Sequence, residues 1–372
     1  MKPVILNISL RRPEAASYRV FVGSGLLKQM PAILKKMKFA NRYVIITDDV
    51  VKKIYGNDLK TMLEKAGLKT DIISFHPGER SKNEETKKRL DHAMLAKKCG
   101  RDSLIIALGG GVVGDMAGFV AATYMRSIPY IQVPTSFLAM VDSSLGGKVG
   151  VDTPYGKNLI GAFWHPEAVI ADTGCLAGLP REQLVNGLME AVKIFLTYDA
   201  KYFQLVLKNW KKILRKDRNL LQKIIARAME LKIGVIVRDE HDLNERMVVN
   251  WGHTVGHAME HLSNYTLLHG YGVALGILVE SKIAQLVGVL SEKDFNTVRN
   301  AMKLFGIDEK EITGYNPEKV VQSTVIDKKN RDGEIKYVLL EKIGKVRKTQ
   351  GKFSHDIGAK IVMQALKYFK TQ

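Results

Sequence analysis

The chain has 372 residues, 46% of them hydrophobic and 26% charged, with a formal net charge of +19. That balance excludes a disordered chain, a collagen-like fibre and a small disulfide scaffold, and the length suits about two or three domains. With only Cys99 and Cys175, neither a disulfide framework nor a cysteine-based zinc site is credible.

The positive charge favours anionic partners: nucleic acid, an anionic membrane, or a phosphorylated or carboxylated small molecule. Met1 to Arg12 has no apolar core of signal-peptide type, and Asp115 with several glycines interrupts the best apolar run. A soluble, cytoplasmic protein without a membrane partner is expected.

Tyr43 to Thr47 is a short β-rich run ending in Asp48-Asp49. Val50 to Ala66 has helical character and is closed by Gly67. Thr70 to Phe75 is the next strand, followed by a Pro77-Gly78 turn, and Glu84 to Lys98 is a charged amphipathic helix. Leu104 to Leu108 is a buried-type strand that runs directly into Gly109-Gly110-Gly111. Strands alternating with helices predict a parallel sheet with crossover helices. From about Arg181 onward the pattern is mostly helical. Lys201 to Lys232 carries apolar residues at helical spacing among ten Lys or Arg and two acids. Trp251 to Leu262 and Val273 to Val287 are further helices. No linker marks the change of pattern, and the boundary is placed near Leu179-Pro180.

Three constellations carry chemistry. In Gly109-Gly110-Gly111-Val112-Val113-Gly114-Asp115 a strand turns tightly into a helix. Glycines let the backbone approach a phosphate, and a helix N-terminus offers unpaired N–H groups to it. The pattern is neither the standard dinucleotide fingerprint nor a P-loop, and the bland alternative is strand–helix packing alone. Asp115 suits a helix cap or a ribose hydroxyl. Next, Arg126, Gln132 to Ser136, Asp142 to Lys148 and Gly156-Lys157-Asn158 set glycines beside lysines, with an acid and an amide close by. That suits an anionic, hydroxyl-rich ligand; two surface loops with solvated lysines are the alternative.

Third, four of the nine histidines fall between His253 and His269. His253 and His257 are four apart, so on a helix they share a face. Spacing alone would pair them at a metal, although no glutamate is placed as in a His-Glu-x-x-His helix. A catalytic metal needs three protein ligands, and an acid such as Glu190 would complete the set. Capping or core histidines are the competing reading.

Taken together, these residues resemble the 3-dehydroquinate synthase family of sugar-phosphate cyclases. Pro77 to Lys82, Gly109 to Asp115, Asp142 to Lys148, Gly156 to Asn158, Asn250 to His257 and Leu268-His269-Gly270 match its pattern in order. The resemblance implies an α/β, Rossmann-like NAD domain over 1–179 and a mostly α-helical metal- and substrate-binding domain over 180–372. It implies Glu190, His253 and His269 as ligands of zinc or cobalt, which makes His257 an acid–base residue rather than a ligand. NAD contacts implied are Asp48, Glu79, Lys82, Gly110, Gly111, Val112, Val113, Gly114, Asp115, Thr135, Ser136, Asp142, Lys148, Lys157, Cys175, Leu176, Ala177 and Gly178. Catalytic and substrate residues implied are Arg126, Asp142, Lys148, Asn158, Lys232, Arg246, Asn250, His257 and Lys328, or its neighbour Lys329.

The implied reaction converts a seven-carbon keto acid phosphate to 3-dehydroquinate and phosphate, recycling NAD. Family members are typically homodimers, with the residue at Arg126 reaching the partner's site. Tyr271 departs from the usual glutamate, Ser136 from a threonine, Trp251 from a small apolar residue, Asp242 from a glutamate, and Lys193-Ile194-Phe195 from Lys-Tyr-Gly. Cyclases of the 2-deoxy-scyllo-inosose or valiolone type and a related NAD- and metal-dependent polyol dehydrogenase are the alternatives. A nucleic-acid partner is not expected, because the basic 201–232 stretch holds no reading motif.

Overall fold

The computed structural model describes residues 17–37, 40–325 and 336–371. Among the described residues eight strands precede the helical half: β1 (Arg19–Gly23), β2 (Arg42–Asp48), β3 (Thr70–Phe75), β4 (Ser103–Gly109), β5 (Tyr130–Pro134), β6 (Lys148–Thr153), β7 (Gly156–Phe163) and β8 (Ala168–Asp172). Six of them form one sheet in the order β1-β8-β5-β4-β2-β3, and every pairing in it is parallel. A parallel sheet is covered on both faces, so its strands read as continuous apolar runs rather than alternating ones. Every residue of β4 is buried. Ile105 and Ala107 pack with Met116 and Val120 on one face, while Leu104, Ile106 and Leu108 pack with Met30 and Leu59 on the other.

The expected strands at β2 and β4 are present with one residue added at each end, and β3 has the expected bounds. The helix expected over 50–66 is interrupted by a wide turn at Lys52–Gly56 before it resumes at Asn57–Lys65. The polar stretch 126–158 supplies β5 and most of the antiparallel hairpin of β6 and β7, so the alternative of two surface loops does not hold.

Pro180 precedes the Arg181–Tyr198 helix, which opens the helical half. The basic stretch from 201 is not one run but three helices, Ala200–Lys208, Trp210–Leu214 and Arg218–Arg238. The breaks come at Asn209 and at Lys216-Asp217, where the Asp217 carboxylate accepts from Leu220 N at 2.9 Å. At Asp217 a short polar side chain that satisfies the first N–H groups starts a new helix, whereas the Asn209 side chain donates back to Leu205 O at 2.9 Å. The helix expected from Val273 begins four residues earlier, as His269–Leu286. Its glycines mask the helical signal in sequence, and they are used for packing.

Four glycines set the distance between the His253–Leu262 and His269–Leu286 helices. A Cβ on Gly276 would lie 1.9 Å from the Gly252 carbonyl oxygen, and one on Gly256 would lie 2.7 Å from that of Gly272. Gly270 is equally tight against the Arg181–Tyr198 helix: its Cβ would lie 1.8 Å from Asn186 O, and its N–H donates to Asn186 Oδ1 at 2.6 Å. Three helices therefore meet backbone to backbone, carrying Glu190, His253, His257 and His269 to one place.

Candidate active site

The four residues converge from those three helices. Nitrogens of His253, His257 and His269 lie within 4.8 Å of one another. Glu190 Oε1 lies 3.6 Å from His253 Nε2 and 3.4 Å from His269 Nε2. The Glu190 side chain is buried, and its Oε1 accepts no hydrogen bond, while Oε2 accepts from Lys193. Burial opposes the Glu190 charge, but Lys193 outweighs it and holds the carboxyl below its usual range. Burial also opposes a charge on His269, yet Glu260 and Glu190 hold its imidazole up to about 10. Both readings of the cluster, the same-face pair and the set with Glu190, are geometrically present.

A second cluster adjoins the first. Lys232 Nζ donates to Asp142 O at 2.7 Å and to its carboxylate at 2.5 Å. Burial opposes the Asp142 charge, and Lys232, Lys193 and His269 pull the carboxyl well below its ordinary value. Arg246 is buried and donates to the carbonyls of Gly146 and Glu240. Lys148 pairs with Asp242 at 2.6 Å, and Asn250 Nδ2 is buried without a hydrogen-bond partner.

A third group lies at the carboxyl edge of the sheet. Ligands of open α/β sheets bind beyond that edge, where the strand order reverses. Here β2 and β3 run out to one side and β4 returns to start the other, so the glycine turn after β4 sits at the reversal. Asp48 ends β2, and Glu79, Lys82, Gly110 to Asp115, Thr135, Ser136 and Cys175 to Gly178 follow the carboxyl ends of strands. Gly110 caps the Gly111–Thr123 helix without a side chain, and a Cβ there would meet only Ser136 Oγ at 3.5 Å. Gly109 and Gly114 are required by packing: their Cβ atoms would lie 2.5 Å from Val113 and 2.7 Å from Gln132. Packing explains those two glycines; Gly110 leaves the turn open.

Several of these side chains already serve the protein. Asp48 Oδ1 accepts from Val50 N and Val51 N at 2.9 Å. Asp115 pairs with Lys82 at 2.5 Å. Lys82 also donates to Asn158 Oδ1 at 2.5 Å, tying the Gly111–Thr123 helix to the β6–β7 hairpin. Lys157 on β7 lies 3.5 Å from Glu79 Oε1 and 3.6 Å from Glu260 Oε2. Tyr55 OH donates to Cys175 O at 3.0 Å. Arg126 does not join either cluster. It follows the C-terminal end of the Gly111–Thr123 helix and precedes β5, at the opposite edge of the sheet, and it is exposed. Lys328 and Lys329 lie outside the described residues.

The sequence pattern assigns no site role to Glu260, and it marks Lys193 only as the start of a departure from the family pattern. Glu260 is three residues after His257, hence on the histidine face of the helix, and that spacing was the available signal.

The pattern described as 3-dehydroquinate synthase N-terminal matches residues 72–186, and the one described as 3-dehydroquinate synthase C-terminal matches 187–330. The chain belongs to the 3-dehydroquinate synthase family. A curated 3-dehydroquinate synthase from Thermodesulfovibrio yellowstonii is 37% identical over 332 residues, covering 89% of this chain and 92% of its own. Among solved structures, 2-epi-5-epi-valiolone synthase from Streptomyces hygroscopicus subsp. jinggangensis, with NAD+ and Zn2+ bound, superposes with a TM-score of 0.88 at 26% identity. It covers 98% of this chain and 99% of its own. A 2-deoxy-scyllo-inosose synthase complexed with carbaglucose-6-phosphate, NAD+ and Co2+ has a TM-score of 0.86 at 24% identity, covers 94% of this chain and 96% of its own, and shows the shared fold. Among the described residues no helix is long and apolar enough to cross a membrane.

Proposed function

We propose that the protein is a 3-dehydroquinate synthase that converts 3-deoxy-D-arabino-heptulosonate 7-phosphate to 3-dehydroquinate and phosphate, with NAD recycled and a divalent metal, zinc or cobalt. The observation that carries the reading is Glu190 Oε1, a buried carboxylate oxygen without a hydrogen bond, facing the Nε2 atoms of two histidines. An orphaned buried acceptor is costly, and this donor set of one carboxylate and two imidazoles fits a divalent cation that keeps an open position. Glu190, His253 and His269 are the ligands in this reading. Gly110 to Gly114, with Asp48, Lys82, Thr135 and the 175–178 segment, hold the dinucleotide. When bound, the cation supplies Lewis acidity at a substrate hydroxyl, and the nicotinamide supplies a hydride acceptor regenerated in each turnover.

The chain's own residues do the rest. Lys232 and Arg246 bind the substrate carboxylate beside Asn250, in a buried setting where charged donors count most. Lys148, Asn158 and Lys328 hold the phosphate end and orient it for departure. His257 has its ring centroid 5.0 Å from that of His253 and 5.7 Å from that of His269, close enough to move a proton on a substrate held at the metal ligands. Asp142, kept ionised by Lys232, fixes the position of that lysine. In this reading residues 1–179 and 180–372 are the two functional units, and Arg126 completes the site of a partner in a homodimer.

The test is phosphate release from the seven-carbon acid phosphate with substoichiometric NAD and added metal. Many turnovers per NAD without lasting NADH absorbance are expected. Stoichiometric NADH would move the assignment to a polyol dehydrogenase. Efficient cyclisation of glucose 6-phosphate, with the acid phosphate ignored, would move it to an inosose-type cyclase.

A further inference from the structure

Glu260 is 1% exposed and takes no part in the mechanism above. Its Oε1 lies 3.0 Å from His269 Nδ1, while the other nitrogen of that ring, Nε2, faces Glu190 Oε1 at 3.4 Å. An imidazole has two nitrogens. When one donates its proton to a carboxylate, the other presents a lone pair in a fixed direction. Glu260 is itself held. Its Oε2 lies 3.6 Å from Lys157 Nζ, and Lys157 sits 4.4 Å from the centre of the Tyr265 ring. Room for the side chain comes from Gly272, where a Cβ would lie 3.0 Å from Glu260 Cγ and 3.1 Å from Oε1. Lys157 belongs to β7 and Glu260 to the helical half, so this ion pair spans the sequence boundary near residue 180.

We propose that Glu260 is a positioning residue that sets the tautomer and orientation of His269 for metal binding, and that Lys157 on the β6–β7 hairpin holds Glu260 in place. The inference rests on the reading of Glu190, His253 and His269 as ligands. A carboxylate behind a ligating histidine raises its basicity and fixes its ring, and losing one costs about ten- to a hundredfold in metal affinity.

The experiment measures the dissociation constant of zinc by competition with a chromogenic chelator, on the full chain. Glu260→Gln keeps the shape and loses the charge. Glu260→Asp keeps the charge and falls one methylene short of His269, so it covers the case in which the glutamine variant fails to fold. Each is expected to weaken zinc by about ten- to a hundredfold. Each should also shift the visible absorption of the cobalt-loaded protein at saturating metal, which a purely structural role would leave alone. Lys157→Met should weaken zinc less, and combined with Glu260→Gln it should add nothing further, since both act through one contact. His253→Ala is the reference. If it binds zinc like the wild type, the ligand reading itself fails. If it loses zinc while both Glu260 variants keep wild-type affinity and cobalt spectrum, the ligand reading stands and the positioning role is refuted. Fully additive losses in the double variant would refute the part assigned to Lys157.

Discussion

Replacing Gly276 by alanine sets two effects of opposite sign against each other. Gly276 lies inside the His269–Leu286 helix, where alanine is favoured over glycine by about 1 kcal/mol. Propensity alone therefore predicts a more stable protein. The packing says otherwise. The new Cβ would stand 1.9 Å from Gly252 O and 2.8 Å from Gly256 N, and both are backbone atoms that cannot rotate away. A carbon–oxygen contact relaxes to roughly 3.3 Å, so the two histidine helices must part by about 1.4 Å at this point. Forced overpacking of a core costs about 1–3 kcal/mol, and the separated glycine contacts add to it, so a net loss of up to about 2 kcal/mol remains after the propensity gain. The metal site is more sensitive still. Ligand distances tolerate about 0.2 Å, while the displacement separates His253 from His269 by several times that. Urea melts of the metal-free protein and chelator competition for zinc read the two consequences separately. The expected result is a lower midpoint and zinc affinity reduced by about a hundredfold or more. Gly314→Ala, where a Cβ meets nothing within 4 Å, is the near-neutral control. A Gly276→Ala protein with a raised midpoint and wild-type zinc affinity would falsify the backbone-contact argument.

Other expectations can be checked as directly. His253→Ala should lose both metal and activity, whereas His257→Ala should lose activity and keep metal; equal metal loss in the two would restore the same-face pair as ligands. Lys82→Met leaves the half-buried Asp115 without its partner, so stability should fall by about 1–3 kcal/mol in urea melts, and an unchanged midpoint would show that the pair contributes nothing. Burial, with Asp172 nearby, pushes the Cys175 thiol up to about 12, and burial raises that of Cys99 as well. A raised folded pKa keeps the neutral thiol throughout pH 7–9, so the native protein should resist thiol reagents there and yield both thiols in denaturant. Rapid labelling of the native chain at pH 8 would contradict that. Arg246→Lys removes the two-pronged tie to the carbonyls of Gly146 and Glu240. Turnover of the acid phosphate should fall by about 2–4 kcal/mol of transition-state stabilisation, and wild-type kcat/KM would remove Arg246 from the carboxylate site.

Sequence alone determined what is local. β2 and β4 were legible because a strand buried on both faces needs an unbroken apolar run, and Val44-Ile45-Ile46 and Leu104 to Leu108 are such runs, while the edge strand β3 was legible from Ile72-Ile73 and the Pro77-Gly78 turn after it. The shared face of His253 and His257 followed from the helical repeat, and the glycine turn from its place between strand and helix. Tertiary structure decided what depends on partners far along the chain. β1, the five residues Arg19–Gly23, is a strand because it lies beside β8, well over a hundred residues away. The β6–β7 hairpin hides because most residues of β7 are exposed, so its side chains carry no burial pattern, and Gly150 and Gly161 stand where the two backbones meet. The glycines at 252, 256, 270, 272 and 276 weaken the helical signal in sequence. They do so for one physical reason: without a Cβ, three helix backbones can touch, and Glu190 and Glu260, seventy residues apart, come within 3.4 Å of the two ring nitrogens of His269.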